Sequence, residues 1–119
     1  MIYPAKYSSV IAVAATAVDD STPSWSAEGE EVELAAPGVS IRSTWNDGLY
    51  NTISGTSMAS PHVAGVVALM LGAGVLSPAE VRAALQATAD DLGATGHDNF
   101  YGYGLVDAEE STTGSQTNP

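Results

Sequence analysis

Ser57, within Gly55-Thr56-Ser57-Met58-Ala59-Ser60-Pro61-His62-Val63-Ala64-Gly65, is the side chain of this 119-residue sequence best set up for chemistry. Glycine and threonine make a tight approach to an apolar run, and Pro61 is close enough to the start of the predicted helix to cost no backbone hydrogen bond. A hydroxyl at that helix mouth stands beside unpaired backbone N–H groups and the positive end of the helix dipole, which stabilise an oxyanion forming next to it. The spacing therefore suits acyl transfer, with Ser57 as nucleophile and its own N–H as an oxyanion donor. Serine alone is a weak nucleophile, however, and needs a base and a third group to orient that base. His62 follows Ser57 by five residues, which on a helix turns it about 140° away, so it is expected to be a packed, hydrogen-bonded structural histidine. His97 lies beside Asp98 in a polar stretch and is expected to be a solvated loop residue.

The elements that must position Ser57 can be read on either side of it. Residues 10–18 form a mostly apolar, partly β-branched run closed by Asp19-Asp20-Ser21-Thr22-Pro23, which suits a parallel strand in a sheet interior. Residues 32–34 and 39–44 are shorter strand candidates separated by the Pro37-Gly38 turn signal. Trp45-Asn46-Asp47-Gly48 then predicts a hairpin turn, with residues 49–53 returning. The helix expected over about 57–71 is apolar nearly all round, hence buried, with Gly65 allowing a neighbour to approach closely. Ser77-Pro78-Ala79-Glu80 announces a second, amphipathic helix whose inward stripe is Val81, Ala84, Leu85 and Thr88. Residues 93–104 read as a glycine-rich loop ending in a short pairing, 105–110 as a last helical turn, and 111–119 as a polar tail or linker. Strands and helices alternate without a repeat, an α/β layer arrangement.

Composition narrows the function classes. Fourteen acidic residues face only Lys6, Arg42 and Arg82, a net charge of −11, which makes nucleic acid and anionic membranes poor partners. Self-repulsion of that size disfavours compaction unless salt screens it, so adaptation to high salt is expected. Cysteine is absent, which removes disulfides, thiol catalysis and thiolate metal sites. The uncharged stretch 58–76 is interrupted by Ser60, Pro61, His62 and three glycines, and its strongly apolar part falls well short of the roughly 20 residues of a membrane span. No signal peptide is visible in this chain. No carboxylate cluster has calcium-loop spacing and two isolated histidines make no zinc site, so the residues themselves predict no metal.

Serine at a strand-to-helix turn is also the nucleophile elbow of the α/β-hydrolases, but that motif needs glycine two residues either side of the serine. Here Ala59 takes the second position. The eleven residues from Gly55 to Gly65 instead resemble the serine signature of the subtilisin-like serine proteases. Tyr3-Pro4-Ala5-Lys6-Tyr7, Val10-Ile11-Ala12-Val13, Ala35-Ala36-Pro37-Gly38-Val39 and Gly102-Tyr103-Gly104-Leu105-Val106-Asp107 fall around it in the family's order. The resemblance implies a three-layer fold with a mainly parallel sheet and helices on both faces, of which residues 1–110 are the C-terminal portion. It implies a serine endopeptidase acting on protein or peptide substrates, extracellular in its full-length parent. Ser57 would be the nucleophile, while the Asp and His of the triad, the oxyanion asparagine and most pocket walls belong to an upstream part of the domain. Met1 would then be an artificial or misassigned start, and the chain alone is expected to be inactive, poorly folded and dependent on the N-terminal half. No cofactor is needed for the chemistry. The backbone carbonyls of Ala5, Tyr7 and Val10 match a weak calcium or sodium site of the family, and Met58 would lie on the leaving-group side, open to oxidation. A non-catalytic module that keeps the helix core is the alternative.

Overall fold

The computed structural model of the chain describes residues 2–75 and 77–113. Its elements run β1 (Ala12–Thr16), β2 (Val32–Pro37), β3 (Ile41–Thr44), β4 (Tyr50–Ile53), α1 (Thr56–Gly72), α2 (Pro78–Thr88) and α3 (Ala108–Thr113). This is the expected α/β arrangement. β1 and β2 pair in parallel, with a register slip that sets Ala12 opposite Val32 but Val13 opposite Leu34. Glu33 is the extra residue of that bulge. After it, Leu34 and Ala36 share a face with Ala15, while Val32 and Ala35 share the other with Ala14.

The first face is covered by Ala59, Val63, Val66 and Met70 of α1 and by Val81 and Leu85 of α2. On the second, alanine-rich face the cover is Tyr101, from the loop before residue 104. Among the described residues both long helices therefore sit on one face, where the family resemblance implied helices on both. The close approach on the loop side depends on Gly102, at φ +61, where a Cβ would run into the Glu33 carbonyl group.

A bridge between Ala35 and Leu105 closes the far edge of β2, and Leu105 also pairs with Asp90. That engagement explains a boundary shift at the end of the chain. Leu105 is drawn into sheet pairing, so the last helix begins after Asp107, whose Oδ1 accepts from Glu110 N–H at 2.9 Å, and not at residue 105. Residues 111–113 belong to this helix, with Ser111 buried against Thr88 at 2.8 Å between hydroxyls, while 114–119 of the expected tail lie outside the described residues.

β1 is covered on both faces: Ala12, Ala14, Ala15 and Thr16 are all buried, under α1 on one side and the loop on the other. The α1 helix, conversely, is buried along only one stripe, Ala59, Val63, Val66 and Met70. Leu69 is 58% exposed, and among the described residues nothing lies within 4 Å of a Cβ built on Gly65, so none of them uses the approach that glycine permits. The second helix follows its reading closely, with Ser77 Oγ accepting from Glu80 N–H at 3.0 Å and Val81, Leu85 and Thr88 buried. Among the described residues no helix is long and apolar enough to cross a membrane.

Candidate active site

Ser57 is the second residue of α1 and is exposed. What fixes it is a chain of backbone contacts from the sheet. Gly55 is extended at φ 163 and ψ 162, and its N–H donates to the Gly38 carbonyl at 2.8 Å. Gly38 N–H in turn donates to the Thr16 carbonyl at the end of β1, at 3.0 Å. A Cβ at Gly38 would stand 2.6 Å from Ala15 Cβ and 2.7 Å from the Gly55 carbonyl oxygen, so only glycine lets the two segments meet. The nucleophile candidate thus sits beyond the carboxyl ends of two parallel strands, where α/β sheets bind ligands.

Met58 N–H donates to the Gly55 carbonyl at 3.0 Å, and among the described residues no side chain caps the helix. The N–H of Ser57 therefore faces no capping oxygen, which suits an incoming oxyanion. Ser57 borders two clefts. One, of about 380 Å³, runs toward the β3–β4 hairpin and includes Arg42, Trp45, Ile53, Met58 and His62. The other, of about 560 Å³, opens toward the N-terminal turns and includes Tyr3, Ala5, Trp25 and Ser60.

Among the described residues no base is hydrogen-bonded to the Ser57 hydroxyl. His62 is hydrogen-bonded as expected, Nδ1 to the Met58 carbonyl oxygen at 2.8 Å, but it is exposed and not packed. Helical side chains lean toward the N-terminus, so its ring lies over the turn of Met58 and reaches the cleft wall despite the 140° offset. His97 is an exposed loop residue, as expected, though not a free one. Its Nε2 lies 2.7 Å from the Val32 carbonyl oxygen and its ring meets Tyr103 edge-on at 5.1 Å, in a cleft that does not include Ser57.

Ala5, Tyr7 and Val10 lie in the N-terminal turns, and Ala5 and Val10 line the second cleft. Lys6 N–H donates to the Ile2 carbonyl, and Tyr7 N–H to that of Pro4; the Tyr7 carbonyl accepts from Val10 N–H at 3.1 Å. The Val10 carbonyl oxygen lies 3.5 Å from Arg82 Nη2, and neutral carbonyl oxygens without a carboxylate hold a hard cation only weakly. Sequence spacing gave no hint of an acidic grouping elsewhere in the chain. Asp90, Asp107 and Glu110 bring carboxylate oxygens within 4.8 Å of one another, because the Asp90–Leu105 pairing folds the end of α2 onto the start of α3. Burial, then the charges of Asp107 and Glu110, then a hydrogen bond to Asp107 and the charge of Asp20 push Asp90 up to about 6.

Reading the sequence also missed what holds the bulge. Glu33, buried in β2, accepts from Arg82 Nε at 2.8 Å and from Gln86 Nε2 at 2.9 Å. That hydrogen bond to Glu33 raises the Arg82 guanidinium above its ordinary value. An isolated glutamate between valine and leucine gave no sequence signal of a partner some fifty residues away.

Comparison with known proteins matches residues 1–104 to the model of the subtilase family. The chain is 50% identical over 109 residues to subtilisin DY of Bacillus licheniformis, covering 90% of this chain and 38% of the relative. It is 46% identical over 112 residues to halolysin of Haloferax mediterranei, covering 93% and 21%. With the minor extracellular protease Epr of Bacillus subtilis it shares 43% over 117 residues, covering 95% and 18%. The chain thus spans less than two-fifths of the length of these relatives.

Proposed function

Because the chain belongs to the subtilase family, we propose that it is the nucleophile-bearing part of a serine endopeptidase domain and that Ser57 attacks the scissile carbonyl of protein or peptide substrates. The observation that carries this reading is the clamp of Gly55 on Gly38, which leaves Ser57 exposed at an uncapped helix N-terminus. In the attack the hydroxyl gives its proton to a base, and the carbonyl oxygen becomes an oxyanion beside the Ser57 N–H. Collapse expels the amine, which takes the proton, and leaves an acyl group on Ser57 for water to remove. No group among the described residues is bonded to Ser57 as base, so the imidazole and its orienting carboxylate come from the remainder of the domain.

The partner is accordingly the N-terminal half of the peptidase domain. Names among the relatives, an extracellular protease and a halolysin, support an extracellular parent and working conditions of high salt, the latter in keeping with a net charge of −11. No cofactor takes part in the chemistry. Ala5, Tyr7 and Val10 would offer backbone carbonyls to a structural calcium or sodium ion.

A fluorophosphonate probe tests the reading. Ser57 should be labelled when an N-terminal half is supplied and not in the 119-residue polypeptide alone, and Ser57→Ala should abolish labelling. Absence of labelling in both cases would favour a non-catalytic module that keeps only the helix core.

A further inference from the structure

The cleft between Ser57 and the hairpin is electrostatically unlike the rest of the molecule. The chain carries 14 acidic residues, yet none lines this cleft, and one of its three basic residues does. Of the other two, Arg82 is paired with Glu33 and Lys6 lies against Tyr3, 5.8 Å from the ring centroid. Arg42 makes no ion pair among the described residues. It is held over the Tyr50 ring, 4.8 Å from the centroid, by the diagonal placement of the two residues across β3 and β4. Asp47, the acidic residue of the hairpin turn, is outside the cleft wall and its Oδ1 already accepts from Leu49 N–H at 2.9 Å. On the opposite wall, His62 has its Nδ1 engaged by the Met58 carbonyl oxygen, which leaves Nε2 as the ring's remaining polar atom.

We infer that Arg42 selects peptide substrates carrying an aspartate or glutamate at the position that falls in this cleft. The inference rests on the proposed peptidase reading and adds a specificity to it. A guanidinium presents a planar fork of donors to a carboxylate, and stacking on Tyr50 pre-organises that fork. Elsewhere the strongly negative chain repels an acidic substrate; here it meets a cation and no competing carboxylate. Because Arg42 is exposed, the gain is modest, of order two- to fivefold in kcat/KM for an acid over its amide.

The test uses the assembled peptidase domain at a fixed salt concentration at which Ser57 reacts with the fluorophosphonate probe. Peptides identical except for Glu, Gln or Lys, scanned through the three positions on each side of the scissile bond, should show one position where Glu exceeds Gln by about threefold and Lys is worst. Arg42→Gln should bring the Glu/Gln ratio at that position to about one. Arg42→Lys should retain part of the preference, and Arg42→Glu should transfer it to Lys. Peptides that are cut with a Glu/Gln ratio of one throughout, or with a preference that survives Arg42→Gln, would overturn the inference and leave the peptidase reading intact. Should no peptide be cut, that reading fails, and quenching of Trp45 fluorescence by Glu and Gln peptides decides the inference instead. Tighter binding of the Glu peptide that is lost in Arg42→Gln supports it; equal affinities overturn it.

Discussion

Asp90→Asn should stabilise the folded domain at neutral pH and leave its stability in acid almost unchanged. The Asp90 main chain is pinned next to α3, its N–H donating to the Leu105 carbonyl at 2.8 Å and its own carbonyl accepting from Leu105 N–H at 2.9 Å, which keeps its carboxyl near Asp107 and Glu110. Burial first, and then the neighbouring acids, raise it from 3.8 to about 6. Between those two values the folded state keeps a proton that the unfolded chain has released. Stability therefore falls as pH rises through that window, and above about pH 6 the full cost is present. The interval from 3.8 to about 6, at roughly 1.4 kcal/mol per pH unit, comes to about 3 kcal/mol. Asp90 is partly exposed, and solvent screening reduces the expectation to about 1–2 kcal/mol. Asparagine keeps a donor toward Asp107 and never ionises. Urea unfolding of both proteins at constant salt should show a gap near zero at about pH 4 that opens to about 1–2 kcal/mol by about pH 7. Carbon NMR of the Asp90 carboxyl follows the same titration directly. A gap that does not change with pH, or a variant less stable than its parent at neutral pH, would refute the reasoning.

Gly38→Ala should cut the rate of fluorophosphonate labelling in the assembled domain by about tenfold to a hundredfold, because a Cβ 2.7 Å from the Gly55 carbonyl oxygen must push the Ser57 turn outward; unchanged labelling kinetics would contradict this. Arg82→Ala should cost about 3 kcal/mol in unfolding free energy, since it strands the buried Glu33 carboxylate with Gln86 alone, whereas Arg82→Ala combined with Glu33→Gln should recover much of the loss. Raising sodium or potassium chloride from dilute buffer to molar concentration should raise the melting temperature, as the screening length falls to about 3 Å around a chain of charge −11; greatest stability in dilute buffer would rule out salt adaptation. The 119-residue polypeptide alone should hydrolyse peptides no faster than its Ser57→Ala variant, measured by matched progress curves.

How much of this was legible beforehand depended on whether the signal was local. Ser57, the hairpin and α2 were readable because each is announced within a few residues: a helix mouth, a turn dipeptide, a capping serine followed by proline. β1 and β2 were recognised as strands, but their boundaries moved inward or outward by a few residues because pairing, not hydropathy, ends them. The Gly38 clamp, the Glu33–Arg82 pair and the Asp90–Asp107–Glu110 grouping could not be read, since each joins segments tens of residues apart through one backbone register. Burial of α1 was misjudged for the complementary reason: an apolar composition says what a helix can bury, while the partners available decide which side is buried.

The pairing of Leu105 with Ala35 also bears on the order in which this segment can form during synthesis. β1, β2 and α1 are complete by residue 72, yet the far edge of β2 stays open until a residue seventy positions beyond Ala35 has emerged. Until then the nucleophile's supporting sheet exposes an unpaired strand edge and has no Tyr101 over its alanine face. A nascent polypeptide stalled before that point would carry the serine motif and the strands that aim it on a sheet still open at one edge and uncovered on one face.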